Sequence, residues 1–168
     1  TFVITAALAL SQSNGKKVLA YSTISNLGLI IACAGINTPT AIVVGMMLIV
    51  FHAVSKALLF LCVGTVEQTI GSRDIEVMRG VYGKMPMTAI IASLGVLTMI
   101  LPPFGMLFGK WAAIESAREN LLVILMFAVG SAFTVMYWAR WVGTMLDFEK
   151  PSLLPTPGVE RQAPFTRL

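Results

Sequence analysis

The chain has 168 residues, of which 57% are hydrophobic and 12% charged, with a mean hydropathy of +0.83. Soluble domains carry roughly a quarter of their residues as charge, so this composition excludes an ordinary water-soluble domain and points to a membrane protein. The net charge of +4 raises nucleic acid as a partner, but the basic residues fall in short gaps between apolar runs, which is the pattern of membrane topology.

The segment from Thr1 to Leu10 is apolar. As a helix it would reach about 15 Å, half of the roughly 30 Å hydrocarbon core. With no basic region before it, it reads as the end of a helix that begins outside this sequence, in a piece of a larger polytopic protein. Ser11-Gln12-Ser13-Asn14-Gly15-Lys16-Lys17 is a polar turn. A span is expected over Val18–Ile36, with an unusually polar first half, Tyr21-Ser22-Thr23-Ile24-Ser25-Asn26. Small and hydroxylated residues favour close helix packing with hydrogen bonds across the contact. Ordering water for a proton wire is the second reading of the same residues.

Asn37-Thr38-Pro39 forms a turn, and the third span is expected over Ala41–Val66. The hydrophilic stretch from Glu67 to Met85, with Arg73-Asp74-Ile75-Glu76, is long enough to lie as a surface helix. A fourth span over Pro86–Ala113 contains Pro102-Pro103-Phe104-Gly105. Prolines remove backbone donors, so a continuous helix is not expected there. Broken membrane helices occur where the freed backbone lines protein or water, and Lys110 follows this break closely. The fifth span is expected over Leu121–Leu146, with Trp138 and Trp141 in an interfacial aromatic belt. The expected fold is thus an all-α, polytopic transmembrane helix bundle over residues 1–146, with about five spans, one of them interrupted by Pro-Pro. Residues 147–168, with Pro151, Pro155, Pro157 and Pro164, form a hydrophilic loop or tail.

If successive spans alternate in direction, Lys16, Lys17, Arg73, Arg79, Lys84, Arg140, Lys150, Arg161 and Arg167 fall on one side and Arg118 on the other. The bias places the first side in the cytoplasm or its equivalent. Lys56 and Lys110 alone are left within the membrane.

An ionisable side chain at mid-bilayer costs roughly 2.5–3.5 kcal/mol on insertion scales, so it is rare without a purpose. His52 is the single histidine, and it precedes Lys56 by one helical turn. The pair shares a face, with Cβ atoms about 5–6 Å apart. A desolvated lysine can take and give protons, and a histidine can pass one through its two ring nitrogens. The pair therefore suggests a proton relay. Snorkelling is the rival for Lys110, and a packed, hydrogen-bonded side chain is the rival for His52. Cys33 and Cys62 lie in apolar runs without CxxC spacing and read as packing residues, with neither a disulfide nor a metal site. No phosphate-binding glycine loop, nucleophile–base pair or cysteine cluster is present, so no cofactor is expected. Any redox chemistry must reside in another subunit.

Three segments carry a family resemblance. Lys17-Val18-Leu19-Ala20-Tyr21-Ser22-Thr23-Ile24-Ser25-Asn26-Leu27-Gly28 resembles the K-x-L-A-Y-S-T-x-S-x-x-G helix of the proton-conducting antiporter-like membrane subunits. His52-Ala53-Val54-Ser55-Lys56-Ala57-Leu58-Leu59-Phe60 is similar to that family's H-A-x-x-K-A-x-L-F segment. Pro102-Pro103-Phe104-Gly105 with Gly109-Lys110-Trp111 resembles its broken helix. The family includes large membrane subunits of complex I, subunits of energy-converting membrane-bound hydrogenases, and Mrp antiporter subunits. These proteins contain two inverted five-helix repeats, and this chain resembles the second.

The resemblance implies that Lys56 is the mid-membrane relay lysine, His52 a connecting residue and Lys110 the terminal group towards the outer side. Some members carry a further histidine one turn before His52; here that position is Leu48. The implied function is proton translocation in a redox-driven complex of hydrogenase or NADH:quinone oxidoreductase type. Its partners would be other membrane and redox subunits and the lipid bilayer, in a prokaryotic plasma membrane. The alternative is an Mrp-type cation/proton antiporter subunit without a redox partner. A passive membrane anchor is a third possibility, which a buried Lys56 argues against.

Overall fold

The computed structural model describes residues 1–72, 74–75, 81–100 and 106–146. Its elements are α1 (Phe2–Leu10), α2 (Gly15–Ile36), α3 (Pro39–Ile70), α4 (Val81–Lys84), α5 (Pro86–Ile100), α6 (Met106–Ser116) and α7 (Leu121–Met145). No strand occurs among the described residues, so the chain is an all-α bundle. The Pro-Pro interruption and the tail over 147–168 lie outside the described residues, as does the stretch over 76–80, part of the expected surface helix.

Helix ends follow local chemistry. The Asn14 side chain accepts from the amides of Lys16 and Lys17 and starts α2. Thr38 accepts from the Ala41 amide at the start of α3, with Pro39 in the first turn, where its missing N–H costs nothing. Asn120 caps α7 through the Val123 amide. At the far ends, Asn37 (φ 57°) closes α2 and Gly71 (φ 74°) closes α3, both in the left-handed region. With Gly71 as the stop, α3 runs past the expected end at Val66 and takes in Glu67.

Three helices, α2, α3 and α7, are long and apolar enough to cross a membrane. At 22 residues α2 is about 33 Å long, against a hydrocarbon core of roughly 30 Å. The shorter α5 and α6 flank the Pro102-Pro103 segment. The nine residues of α1 reach about 14 Å, a half-span. Large apolar side chains such as Ile31 (70% exposed), Leu61 (72%) and Trp111 (71%) point outward. That surface suits lipid, and the chain is an integral membrane protein.

The core joins α1 to α2 and α7, and α3 to α2, α5 and α6. Close approach of α1 and α2 depends on Gly28, where an added Cβ would stand 2.9 Å from the Phe2 backbone nitrogen. Beside it the Ser25 hydroxyl donates to the Phe2 carbonyl at 2.8 Å. One end of the bundle gathers basic residues: Lys16 pairs with Glu67 at 2.5 Å, and Arg140 donates to the Leu10 carbonyl at 3.1 Å. There too the Ile75 amide donates to the Ser13 carbonyl at 2.8 Å. The opposite end brings Thr38, Glu115, Arg118 and Asn120 around one cavity, with Arg118 paired to Glu115. This arrangement is the one implied by spans that alternate in direction.

The structure corrects one expectation. Trp138 and Trp141 do not face a lipid headgroup belt; they are 0% and 1% exposed, inside the bundle. One helical turn apart on α7, their rings stack with centroids 5.4 Å apart and an interplanar angle of 4°. The reason is lateral: α7 packs on α1, α5 and α6, Trp141 lies beside Ala9 and Leu10 of α1, and the Trp138 ring faces Lys56 of α3. Cys33 and Cys62 are both buried and unpaired with each other, as packing residues.

Candidate functional site

Lys56 lies in the middle of α3, about 21 Å of helix from Ile70 and about 26 Å from Pro39. It is 5% exposed, which excludes snorkelling to either end. Its ammonium donates to the Leu19 carbonyl at 3.0 Å and to the Ser22 hydroxyl. The Nζ also stands 4.9 Å from the centroid of the Trp138 ring. An ammonium has three donors and no acceptor. Two meet oxygens on α2, and the ring of α7 covers the same charge from another side.

Ser22 reaches this position through its place on α2. Its own proton goes to the Leu19 carbonyl at 2.9 Å, one turn back along the helix, so its oxygen faces Lys56 as an acceptor. Next to Lys56, Ser55 accepts from Thr98 at 2.9 Å and ties α3 to α5.

His52, one turn before Lys56, is 6% exposed. Neither ring nitrogen has a hydrogen-bond partner among the described residues. Lys110 is 3% exposed, also against snorkelling. Its helix packs tightly on α3 because Gly109 leaves room for Leu48: an added Cβ would be 2.7 Å from Leu48 Cδ2. His52 lies within electrostatic range of both Lys56 and Lys110. The three sequence-predicted residues thus share one buried region between α3 and α6, without direct hydrogen bonds to one another among the described residues.

Several neighbours of Lys56 are not marked by the sequence. Trp138 reads there as a residue of the membrane surface, and nothing singles out Tyr137. In the structure Tyr137 is 3% exposed, and its ring centroid stands 5.2 Å from that of Trp138. Ser22 reads mainly as a packing residue, although its place in a run of small polar residues within a span is the available signal. Among the described residues no group of three or more His, Cys, Asp or Glu side chains could hold a metal. Among the described residues the arrangement holds a buried lysine ammonium on a carbonyl and a hydroxyl and offers no nucleophile–base pair.

Comparison with known proteins agrees with this geometry. The family profile described as "NADH:quinone oxidoreductase/Mrp antiporter, TM" matches residues 1–135. NADH-ubiquinone oxidoreductase chain 5 of Bos indicus is 34% identical over 145 residues, covering 83% of this chain and 23% of the relative. A probable K(+)/H(+) antiporter protein of Rhizobium meliloti (strain 1021) is 32% identical over 163 residues, covering 92% of this chain and 16% of the relative. Among solved structures, the membrane-bound sulfane sulfur reductase, an archaeal respiratory membrane complex, superposes with a TM-score of 0.82 at 29% identity, covering 90% of this chain and 31% of that one. The chain spans a quarter or less of the length of these curated relatives. A buried lysine held between α2, α3 and α7 in such a bundle, with the match over residues 1–135, makes the chain a member of the membrane-spanning NADH:quinone oxidoreductase/Mrp antiporter family.

Proposed function

We propose that this chain is part of a proton-translocating membrane subunit of a redox-driven complex, of hydrogenase or NADH:quinone oxidoreductase type, in a prokaryotic plasma membrane. Lys56 holds the proton at mid-membrane, His52 connects, and Lys110 receives it towards the side bearing Arg118. The observation that carries this reading is the environment of Lys56. A 5% exposed lysine gripped by a carbonyl, a hydroxyl and a ring face is stabilised well beyond what an inert anchor needs. Unpartnered nitrogens on the buried His52 support the reading, because a ring with both nitrogens open can take a proton on one and release it from the other through water.

Electron transfer in partner subunits would change charge or hydration near Lys56 and release its proton towards Lys110. Moving one charge against 100 mV requires about 2.3 kcal/mol, and the gain or loss of one or two charge-assisted hydrogen bonds of about 1.5–3 kcal/mol each supplies that amount. The test is Lys56→Ala in the full-length protein, assembled with its native partners in vesicles. Proton pumping per turnover is expected to vanish while assembly persists; pumping at the wild-type stoichiometry would end the relay reading.

The K(+)/H(+) antiporter relative, which matches 92% of this chain, favours a second reading: cation/proton exchange without a redox partner. Vesicles carrying the assembled protein separate the two. Exchange driven by an imposed cation gradient alone supports the antiporter, and proton movement that requires turnover supports the redox-driven pump.

A further inference from the structure

The way α2 and α3 lie against each other is fixed at both ends of one seam. The Lys56 ammonium donates to the Ser22 hydroxyl, and a Cβ added at Gly45 would stand 3.6 Å from the Cys33 Cβ. Along both helices these contacts are eleven residues apart, so the helices run antiparallel and in register between them. Asn26 is four residues from Ser22 and seven from Cys33, and His52 is four from Lys56 and seven from Gly45. Steps of four and seven residues keep to one face of a helix. Asn26 and His52 therefore stand opposite each other on the seam, one turn from the lysine.

Both side chains are buried, and both have hydrogen-bonding capacity to spare. The Asn26 Nδ2 donates to the Ser22 carbonyl at 2.8 Å. A carbonyl only accepts, so this bond fixes which end of the amide is which and leaves Oδ1 as an acceptor. Oδ1 has no partner among the described residues, and neither ring nitrogen of His52 has one. Buried polar atoms are costly to leave unmet. An imidazole always carries at least one N–H, which is the donor the amide oxygen lacks. These atoms are closed to solvent, so the partner each can find on this seam without opening the bundle is the other.

We propose that Asn26 is the positioning residue of His52, its Oδ1 accepting the imidazole N–H while the ring holds the relayed proton. The inference rests on the relay reading of Lys56 and His52. Rotation of the imidazole about its last side-chain torsion, a broad one, brings the N–H round to α2. A charged ring makes the stronger bond, so Asn26 favours the protonated His52 and lets the ring go when the proton leaves. The same amide holds the Ser22 carbonyl, so the turn of α2 that receives Lys56 also receives His52. Asn26 itself carries no proton, and no covalent bond to it forms or breaks. The charged groups facing His52 are Lys56, one turn along α3, and Lys110 on α6, beside the contact of Gly109 with Leu48. Over Pro86–Ile100 α5 has no titratable side chain, and on the α2 side of the seam the titratable group is the Cys33 thiol. Both charged neighbours are cations, which oppose a further positive charge, and a neutral acceptor at Asn26 offsets that opposition.

The test uses the full-length protein in its assembled complex in vesicles, with proton pumping per turnover followed across pH. Asn26→Leu keeps the volume and removes the acceptor. Pumping is expected to fall about tenfold at unchanged assembly, and its half-maximal pH to move about one unit towards acid, as for a tenfold weaker hold on the proton. Asn26→Gln keeps an amide and is expected to restore most of both. If Asn26→Leu does not assemble, Asn26→Ala, which only leaves space, is read in its place. Wild-type pumping without the acceptor, an unshifted pH profile, or equal losses in Asn26→Leu and Asn26→Gln, with pumping still abolished by Lys56→Ala, overturns the role of Asn26 and leaves the relay standing. If Lys56→Ala also pumps normally, the relay reading fails and this inference with it.

Discussion

Lys56 Nζ lies 4.9 Å from the centre of the Trp138 ring, on a helix 82 positions further along the chain. Placing a lysine at mid-bilayer costs roughly 2.5–3.5 kcal/mol on insertion scales. A desolvated cation–π contact returns about 2 kcal/mol, and each hydrogen bond from the ammonium about 1.5–3 kcal/mol. The Leu19 carbonyl, the Ser22 hydroxyl and the Trp138 face together therefore offset the burial, and the charge can reside there without being locked.

Removing the ring face tests this balance. Trp138→Leu keeps an apolar filler but loses the cation–π contribution of about 2 kcal/mol. Pumping per turnover is expected to drop several-fold, with Trp138→Phe in between. A Leu variant that pumps as well as the Phe variant would show that the ring acts through volume alone.

Ser22 makes a parallel case. Ser22→Ala leaves one ammonium donor unmet at a cost of about 1.5–3 kcal/mol, so a loss of tenfold or more in pumping rate is expected. Ser25→Ala on the same helix breaks only the contact to the Phe2 carbonyl and is expected to lower thermal stability by about 1 kcal/mol while pumping stays intact. Equal pumping in both variants would remove Ser22 from the path.

Lys110 separates structure from transport. A methionine there matches its shape without a charge to bury, and replacing buried charge by apolar volume is often neutral or stabilising by about 1–4 kcal/mol. Lys110→Met is expected to hold or raise the melting temperature of the assembled protein while proton release stops. A lower melting temperature with normal release would assign Lys110 a structural role.

Two glycines of α2 give a contrast in packing. A methyl at Gly28 meets the Phe2 backbone nitrogen at 2.9 Å, and backbone cannot step aside, so Gly28→Ala is expected to cost about 1–3 kcal/mol. Gly35 has nothing within 4 Å of an added Cβ, so Gly35→Ala gains up to about 1 kcal/mol of helix propensity. Thermal unfolding of the full-length protein in detergent measures both; shifts of the same sign would contradict the α1–α2 contact.

The all-α class, the order of the helices and the residues too costly to bury without purpose are legible in the sequence, and the helix ends only approximately: α3 runs past its expected end at Val66 to Ile70. These are local properties. Asn14, Thr38 and Asn120 cap their helices through their own side chains, Gly71 supplies a positive φ, and hydropathy marks each span wherever it packs. Which groups surround Lys56 follows only from the way the helices come together. The Leu19 carbonyl and Ser22 are 37 and 34 residues away, and Trp138 lies on α7. Along α2 and α3 the sequence has little apolar-to-polar sidedness, because lipid and protein interior are equally apolar. Hydropathy therefore sets a helix's depth but not its rotation. Rotation is set by contacts such as Gly28 against Phe2 and Gly109 against Leu48. On α7 the close approach of Gly130 to the Phe2 ring acts in the same way, and Trp138 is turned inward although its residue type and its place near a helix end suggest the membrane surface.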